Sequence, residues 1–254
     1  MIDLHCHILP GIDDGAQTFE DSLAMAQMAV GQGITHILCT PHHNNGKYDN
    51  PAGKVISCVT ALQEELDRRQ IPLTLFEGQE VRISGELFAQ IENNELLFAD
   101  LSNQYLLIEF PTNDVPSYAI QLFEQLLSKG HIPIIVHPER NSIFIKDPNQ
   151  LLPFLEMGVL TQLTAPSYVG IFGSQIEKTA KKMVAHNLVC MMASDAHNLR
   201  KRGFFMKKAY DAIEKDMGFE HVAAMQQTAR DILNGDPVVR PEFTAIRRKR
   251  FGLF

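Results

Sequence analysis

The amino-acid sequence predicts an α/β fold in which seven parallel strand–helix units form a barrel. Such a barrel is irregular, because the regular barrel has eight units. Short apolar runs alternate with longer amphipathic segments, an order typical of parallel strands joined by right-handed helical crossovers. The 254 residues are enough for one large α/β domain. A doubly wound open sheet is the alternative, but no glycine-rich dinucleotide motif or Walker A sequence supports it.

Seven short apolar runs are predicted to be buried strands, because they are partly β-branched and lack strict polar alternation. In chain order they cover residues 2–4, 34–39, 73–76, 105–108, 132–136, 160–163 and 189–192. Amphipathic segments predict helices at residues 19–32, 55–69, 115–129, 175–186, 205–217 and 220–233. Gly33 and Gly130 follow two of these segments, as expected of helix stops. Asp147 and Pro148 have the pattern of an N-cap with proline at the first helical position.

Composition argues against several classes of function. The net charge of -7 provides no general basic face for nucleic acid. No run approaches the ~18 apolar residues of a membrane span, and the N-terminus lacks a secretory signal pattern, so we expect a cytoplasmic protein. We expect a single domain over residues 1–254, with a short basic tail from about residue 241. Free, mostly buried thiols are expected at Cys6, Cys39, Cys58 and Cys190.

Histidines and carboxylates follow six of the seven predicted strands. The carboxyl ends of barrel strands meet on one face, so these side chains are expected to converge. Residues two apart on an extended strand face the same side, as His5 and His7 would. Neutral imidazoles with carboxylates favour Mn, Fe, Zn or Co, and eight or nine donors suffice for two or three ions. The donors at the strand ends are His5, His7, His42, Glu77, Glu80, Glu109, His137, Asp195 and His197, with His43 ambiguous.

Two arginines are predicted to lie on loops at the same rim. Arg140 comes three residues after His137, and Arg202 comes five residues after His197. Arginine binds phosphate bidentately at any working pH, which indicates a phosphate monoester as substrate. The competing interpretations are a surface salt bridge between Arg140 and a nearby acid such as Glu139, and a solvated basic run around Arg202. The expected chemistry is direct attack on phosphorus by a metal-held hydroxide.

Taken together, these motifs resemble the PHP (polymerase and histidinol phosphatase) superfamily. More narrowly, the chain resembles the bacterial manganese-dependent protein-tyrosine phosphatases of the CpsB/CapC type. The matching blocks lie between residue 1 and about residue 240 and read MIDLHCH, GIDDG, TPHH, EGQE, EFP, HPER and SDAHN.

The resemblance implies a distorted (β/α)7 TIM-like barrel, the PHP fold, with two to three divalent ions, foremost Mn²⁺. One ion would take His5, His7, Glu80 and Asp195. A second would share Glu80 and take Glu109 and His137. A third would take His42, His197 and Asp14. In this family the positions of Arg140 and Arg202 bind phosphate.

The resemblance also implies phosphotyrosine protein substrates, including a bacterial tyrosine kinase of the capsule or exopolysaccharide pathway. The usual tyrosine-phosphatase nucleophile, a cysteine with arginine six positions later, is excluded, because Ile12, Asn45, Glu64 and Ala196 stand at those positions. Two alternatives stay open: a small-molecule phosphatase such as histidinol-phosphate phosphatase, and a non-catalytic metal-binding module.

Overall fold

The computed structural model describes residues 1–247 as alternating strands and helices. Residues 248–254 of the predicted basic tail lie outside this range. Residues 241–247 have no regular secondary structure, but they are attached: Thr244 N donates to His186 O at 3.0 Å, and Ile246 packs against the core. No helix within the described range is long and apolar enough to cross a membrane.

All nine strands of the described chain pair in parallel. They are β1 (Ile2–Cys6), β2 (His36–Cys39), β3 (His42–His43), β4 (Thr74–Glu77), β5 (Glu80–Arg82), β6 (Tyr105–Glu109), β7 (Ile132–Val136), β8 (Leu160–Thr164) and β9 (Met191–Ala193). Three strands pair in the order β1-β2-β4, and six pair in the order β3-β5-β6-β7-β8-β9. Seven of the nine overlap the predicted apolar runs, and β3 and β5 are short additional strands.

The parallel sheet curls, and backbone hydrogen bonds link its first and last strands. Beyond the end of β9, Asp195 N donates to His5 O at 2.8 Å. His7 N donates to Ala196 O at 2.9 Å, and Cys6 pairs with Ala196 in an isolated bridge. The structure therefore has the curled, TIM-like α/β architecture expected from the sequence. This curvature favours a barrel over a flat open sheet.

Helices cover the outside of the strands. They are α1 (Phe19–Gly31), α2 (Ala52–Arg68), α3 (Leu87–Glu92), α4 (Ala119–Ser128), α5 (Ser142–Lys146), α6 (Leu152–Glu156), α7 (Ala165–Tyr168), α8 (Ser174–Ala185), α9 (Met206–Met217) and α10 (Phe219–Asn234). Short 3₁₀ turns span Pro138–Arg140 and Pro148–Leu151. Thr18 and Asp21 form a capping box at α1, which satisfies backbone donors at the helix start.

The start of α4 differs from the prediction. The sequence pattern predicted a helix from residue 115, whereas the helix begins at Ala119. Proline disfavours helical backbone in the residue before it, so Val115 is kept out of the helix by Pro116. The Asp147 prediction is confirmed as a cap, since its side chain accepts from Asn149 N, although the segment that it starts is a 3₁₀ turn.

Alternate strand residues pack on opposite faces of the sheet. On β6, Leu106 and Ile108 belong to the large cluster that the helices share, whereas Leu107 lies in a second cluster with Leu4 and Ile134. This alternation follows from the two-residue period of a strand. Apolar packing on both faces holds the strands rigidly, so the residues at their carboxyl ends are fixed in position.

Candidate metal centre

The carboxyl ends of the strands bring the predicted ligands together. His5 lies on β1, His42 on β3, Glu80 on β5 and Glu109 at the end of β6. The remaining candidates lie beyond strand ends: His7 directly follows β1, His137 directly follows β7, Asp195 and His197 lie in the segment after β9, and Asp14 lies between β1 and α1. These residues are distant in sequence, and the parallel sheet alone explains why they share one rim.

Two of the candidate ligands have left-handed backbone, which non-glycine residues rarely adopt. His137 has a φ of 39° and Asp195 a φ of 51°. Such conformations cost of order 1–3 kcal/mol and persist only where the surroundings fix them. At both positions the chain turns sharply off the end of a strand, which aims the side chain back across the rim.

Four side chains form a compact group at the centre of the rim. His5 Nε2 lies 3.2 Å from His7 Nε2, and each of these nitrogens lies 3.3 Å from Glu80 Oε2. Asp195 Oδ1 lies 3.4 Å from His5 Nε2 and 3.3 Å from His7 Nε2. Four donors placed tetrahedrally at about 2.0–2.1 Å from one ion lie roughly 3.3 Å apart. The group therefore fits a single divalent cation.

Two further groups adjoin this one. The donor atoms within each lie within 4.8 Å of one another. The members of the two groups are His7, Asp14, His42 and His197, and His42, Glu80 and Glu109. His137 belongs to none of the three groups, but its Nε2 lies 2.6 Å from Glu80 Oε1. Glu80 therefore contacts donors on several sides, as a carboxylate shared between ions must.

Several donor atoms are buried without a hydrogen bond from any part of the described chain: Glu80 Oε2, Asp195 Oδ1 and His197 Nε2. Burying an unpaired carboxylate oxygen is costly, and native proteins rarely leave such atoms unsatisfied. A cation at each group would supply the missing partner. The nature of these donors, together with their spacing, fits divalent metal binding.

The electrostatics of the cluster also suit a cation. Burial alone would raise the pKa of Glu80, but the neighbouring His42, His5 and His137 hold it well below its usual range. Burial lowers the pKa of His137 to about 4, assisted by Arg140. Both side chains are thus kept in the deprotonated form that binds metal.

His42 behaves differently. Burial would lower its pKa, but Glu80 and Asp14 raise it to about 10. The charge of the protonated imidazole offsets that of the carboxylates when no cation is bound.

Three groups behind the ligands fix the orientation of the imidazole rings. His7 Nδ1 lies 2.6 Å from Asp13 Oδ2, and His5 Nδ1 lies 2.9 Å from Gln162 Oε1. His197 Nδ1 lies 2.9 Å from the backbone oxygen of Asp195. Each contact occupies Nδ1 and leaves Nε2 for the centre, the usual arrangement of a metal-binding histidine.

Sequence reasoning missed Asp13 and Gln162. Asp13 stands beside the predicted Asp14, and the only signal for it was its place in the segment between Gly11 and Gly15. The sixth predicted strand was expected to end without a strong ligand, and in the structure it contributes Gln162 behind His5. An amide within a predicted strand carries no sequence signal for such a role.

The two predicted arginines both reach the cluster. Arg140 Nη2 lies 2.6 Å from Asp195 Oδ2, and its guanidinium lies over the Phe172 ring at 5.7 Å. Arg202 Nη1 lies 3.1 Å from Asp14 Oδ2. The acid that pairs with Arg140 is Asp195 and not the suggested Glu139, which is buried and accepts from Ser167 Oγ and Thr164 N.

A third arginine, Arg82, was not predicted. It is the cross-strand neighbour of Glu109, and its Nη2 lies 2.8 Å from Glu109 Oε2. Burial and the charge of Glu80 raise the pKa of Glu109 to about 7, against the opposing effect of Arg82. Arg82 thus offsets part of the repulsion between the two carboxylates.

The ambiguous His43 is turned away from the cluster. Its Nδ1 accepts from Asn50 N at 3.2 Å, and its Nε2 lies 3.3 Å from Gln90 Nε2. Among the described residues it joins none of the candidate metal groups. Glu77, which also follows an apolar run, joins none either. The structure separates His42 from His43 because adjacent strand residues face opposite sides.

A cavity of about 290 Å³ opens beside the cluster. Its charged wall contains His42, Glu80, Glu109, His137, Arg140, Asp195 and Arg202. Carboxylates and imidazoles that fit cations therefore share one cavity with two guanidinium groups. This arrangement can hold divalent ions and a phosphate-sized anion together.

The fold and this site define a class: a TIM-like α/β protein with a histidine–carboxylate metal centre at the carboxyl ends of its strands. Residues 1–234 match the family model described as "Capsular polysaccharide synthesis, CpsB/CapC". The chain is 43% identical over 255 aligned positions to tyrosine-protein phosphatase YwqE of Bacillus subtilis, covering 100% of both chains. The chain therefore belongs to the CpsB/CapC family.

Two more comparisons agree with this assignment. Tyrosine-protein phosphatase CpsB of Streptococcus pneumoniae is 28% identical over 223 residues, which are 86% of this chain and 91% of that protein. A crystal structure from work on Bacillus subtilis YwqE and Streptococcus pneumoniae CpsB, described as unique metal-dependent tyrosine phosphatases, superposes with a TM-score of 0.94. That match has 42% identity and covers 98% of this chain and 100% of the other.

Proposed function

We propose that this protein is a metal-dependent tyrosine-protein phosphatase that hydrolyses phosphotyrosine in protein substrates. One observation carries the proposal: donors for several cations and two arginines line a single cavity. Full-length similarity to a tyrosine-protein phosphatase supports it. Nothing in the described part of the site favours the non-catalytic alternative, since a purely structural metal site would need neither an open cavity nor two guanidinium groups on the wall of that cavity.

We assign the ligands to three ions. All donors are nitrogen or oxygen, which suits Mn, Fe, Zn or Co, and among these metals the family resemblance favours Mn²⁺. The first ion takes His5, His7, Glu80 and Asp195. The second shares Glu80 and takes Glu109 and His137. The third takes His42, His197 and Asp14. The three groups of converging donors support most of this assignment. They differ from it in two places: His7 also lies near the third set, and the group around Glu80 and Glu109 contains His42 instead of His137.

Bound divalent ions supply an activated water and positive charge toward the phosphoryl oxygens. The residues of the chain position the substrate. Arg140 and Arg202 reach the cavity from different loops and can donate to the non-reacting phosphoryl oxygens, where charge spreads in the transition state. Asp195, which contacts both guanidinium groups, keeps them at the rim.

The thiols take no part in this chemistry. Cys6, Cys39 and Cys190 are buried, and burial raises the pKa of all three thiols. A thiol must ionise to act as a nucleophile, so these side chains are inert packing groups. Cys6 lies between His5 and His7 but faces the opposite side of β1.

We further propose that the fold is a distorted (β/α)7 barrel within a single domain. In support, β2 and β3 are separated by only Thr40 and Pro41, and β4 and β5 by Gly78 and Gln79. Each pair can be read as one interrupted strand, which leaves seven units. The ladder continues across the interruptions, since Gly78 N donates to Cys39 O and Glu80 N to Pro41 O.

We propose that the physiological partner is a bacterial tyrosine kinase of the capsule or exopolysaccharide pathway, and that the two proteins interact in the cytoplasm. The family description and the phosphatase names of the relatives support this proposal. A kinase that phosphorylates its own tyrosines would present the kind of flexible phosphopeptide that an open cavity can take.

The test is turnover of a phosphotyrosine peptide and of histidinol phosphate by the same preparation, with and without divalent metal. We expect peptide hydrolysis that a strong chelator abolishes and Mn²⁺ restores. A variant with all four cysteines replaced by serine or alanine should keep its activity. Preference for histidinol phosphate would favour the small-molecule alternative, and activity that survives complete metal removal would contradict the proposed mechanism.

A further inference from the structure

The cavity beside the candidate metal centre has two chemically different halves. The charged half holds the proposed ligands and the two arginines. The other part of the lining includes Phe110, Val136, Pro138 and Phe144, which are buried, and Thr112, which is exposed to solvent. These five residues are called the aryl subsite below.

We propose that the aryl subsite binds the aromatic ring of the phosphorylated side chain, and that Thr112 keeps its mouth open by being small. This inference rests on the proposed phosphatase function, because it assumes that the charged half holds the phosphate. Selectivity for an aryl ester then comes from the apolar lining of the cavity, in addition to the higher chemical reactivity of the ester.

The wall is rigid because an aromatic cluster supports it. The Phe110 ring lies 5.8 Å from Phe123 and 5.7 Å from Phe154, measured between ring centroids. It also lies 6.1 Å from Phe144. These separations are within the range of favourable aromatic pairs, so the wall cannot easily collapse into the cavity.

The loop that carries Thr112 is fixed from the other side. Asn141 Nδ2 donates to Pro111 O at 2.8 Å and to Asp114 O at 2.9 Å. Ser142 N donates to Thr112 O at 2.9 Å. The loop is therefore tied to the start of α5, directly after Arg140, and the subsite is formed before any ligand arrives. A preformed apolar surface loses little entropy on binding.

The dimensions suit one phosphorylated ring. The whole cavity measures about 290 Å³, at the small end of the ~300–1,000 Å³ typical of ligand pockets. An alkyl phosphate would fill the charged half alone and leave the apolar wall in contact with water. A phosphorylated phenol would cover that wall, and apolar burial favours binding in proportion to the area covered.

The test uses two non-hydrolysable anions. Their affinities can be compared without any effect of hydrolysis, which is faster for an aryl ester because its leaving group is better. Phenylphosphonate and methylphosphonate are titrated into the Mn²⁺-loaded protein, and their dissociation constants are measured by calorimetry. We expect phenylphosphonate to bind about tenfold more tightly, as burial of one ring face would give. Equal affinities would overturn the proposal.

The location is tested with Thr112→Trp, whose indole should close the mouth of the subsite. In this variant phenylphosphonate should bind no more than about twofold more tightly than methylphosphonate, so most of the tenfold difference is lost. The affinity of the variant for methylphosphonate should equal that of the wild type. Asn113→Trp is the matched control, because Asn113 is the exposed neighbour that does not line the cavity.

The remaining outcomes are also decisive. If Thr112→Trp keeps the preference, or weakens both anions equally, the subsite does not lie where we place it. If neither anion binds the metal-loaded wild-type protein and a phosphotyrosine peptide is not hydrolysed, the proposed phosphatase function fails together with the subsite. If neither anion binds but the peptide is hydrolysed, only the subsite fails. If both bind equally while a phosphotyrosine peptide is still hydrolysed, only the subsite fails.

Discussion

Replacement of Arg140 by alanine tests the site most directly, because this residue contacts a proposed ligand without being able to bind metal. A guanidinium offers hydrogen-bond donors and no acceptor. Its Nη2 lies 2.6 Å from Asp195 Oδ2, and the side chain is 22% exposed, on the wall of the cavity. We therefore expect Arg140→Ala to lower catalysis and to leave the metal content intact.

The magnitude follows from the two contacts that are lost. Loss of one preorganised donor to the phosphoryl group typically costs about 10²–10³ in rate, or ~3–4 kcal/mol. Asp195 also loses a counter-charge that helps to keep its pKa well below the usual range despite burial. The bound cation and the more distant Arg202, whose Nη2 lies 3.7 Å from Asp195 Oδ1, should compensate for that second loss.

The assay is kcat/KM on a phosphotyrosine peptide, with metal analysis of the same preparation. Arg200→Ala is the matched control, since Arg200 is an exposed arginine on the neighbouring loop and does not line the cavity. Arg140→Lys should recover only part of the rate, because an ammonium cannot reproduce the planar fork. An Arg140→Ala rate within about twofold of wild type, or a variant without metal, would refute the reasoning.

Three further predictions concern the metal centre. Glu80→Ala should lose metal and activity together, because Glu80 contacts other donors on several sides. His43→Ala should keep both, because His43 faces away from the cluster. Equal metal contents in the two variants would contradict the ligand assignment. Gly15→Ala should impair metal binding, since a Cβ at this position would lie 2.0 Å from the backbone oxygen of the ligand His7. Normal metal affinity of this variant, measured by calorimetry, would show that the loop carrying Gly15 can shift without disturbing the site. Acid should release metal once the pH falls well below about 6.5, the pKa of a free imidazole, because only neutral imidazole binds a cation. Full metal content after dialysis at pH ~4 would contradict this prediction.

The candidate ligands could be predicted because their signal is local. His5 and His7 are two residues apart at the end of an apolar run, and Glu109 closes another. Parallel strands place such ends on one face whatever the details of packing. For the same reason the α/β alternation and the curled parallel sheet followed from the pattern of runs and amphipathic segments, and the family assignment from the motifs is confirmed.

Local steric rules accounted for some departures from the sequence pattern. Because of Pro116, α4 begins at Ala119, whereas the apolar periodicity alone predicted a helix from residue 115. Two strand regions are interrupted near Pro41 and Gly78, and the apolar runs gave no sign of it. Proline has no backbone donor, and a Cβ at Gly78 would contact the Leu38 side chain at 2.8 Å. Such interruptions depend on the side chains of neighbouring strands, as the contact between Gly78 and Leu38 shows, and these neighbours are distant in sequence.

The sequence by itself determined which residue types would meet at the rim, because strand ends, charge and spacing are properties of the chain. Only the tertiary structure decided how they act together. It paired Arg140 with Asp195 and not with Glu139, placed Arg82 on Glu109, and set Gln162 behind His5. These contacts join positions up to 157 residues apart. Their distances depend on the register and curvature of the whole sheet, which no local pattern encodes.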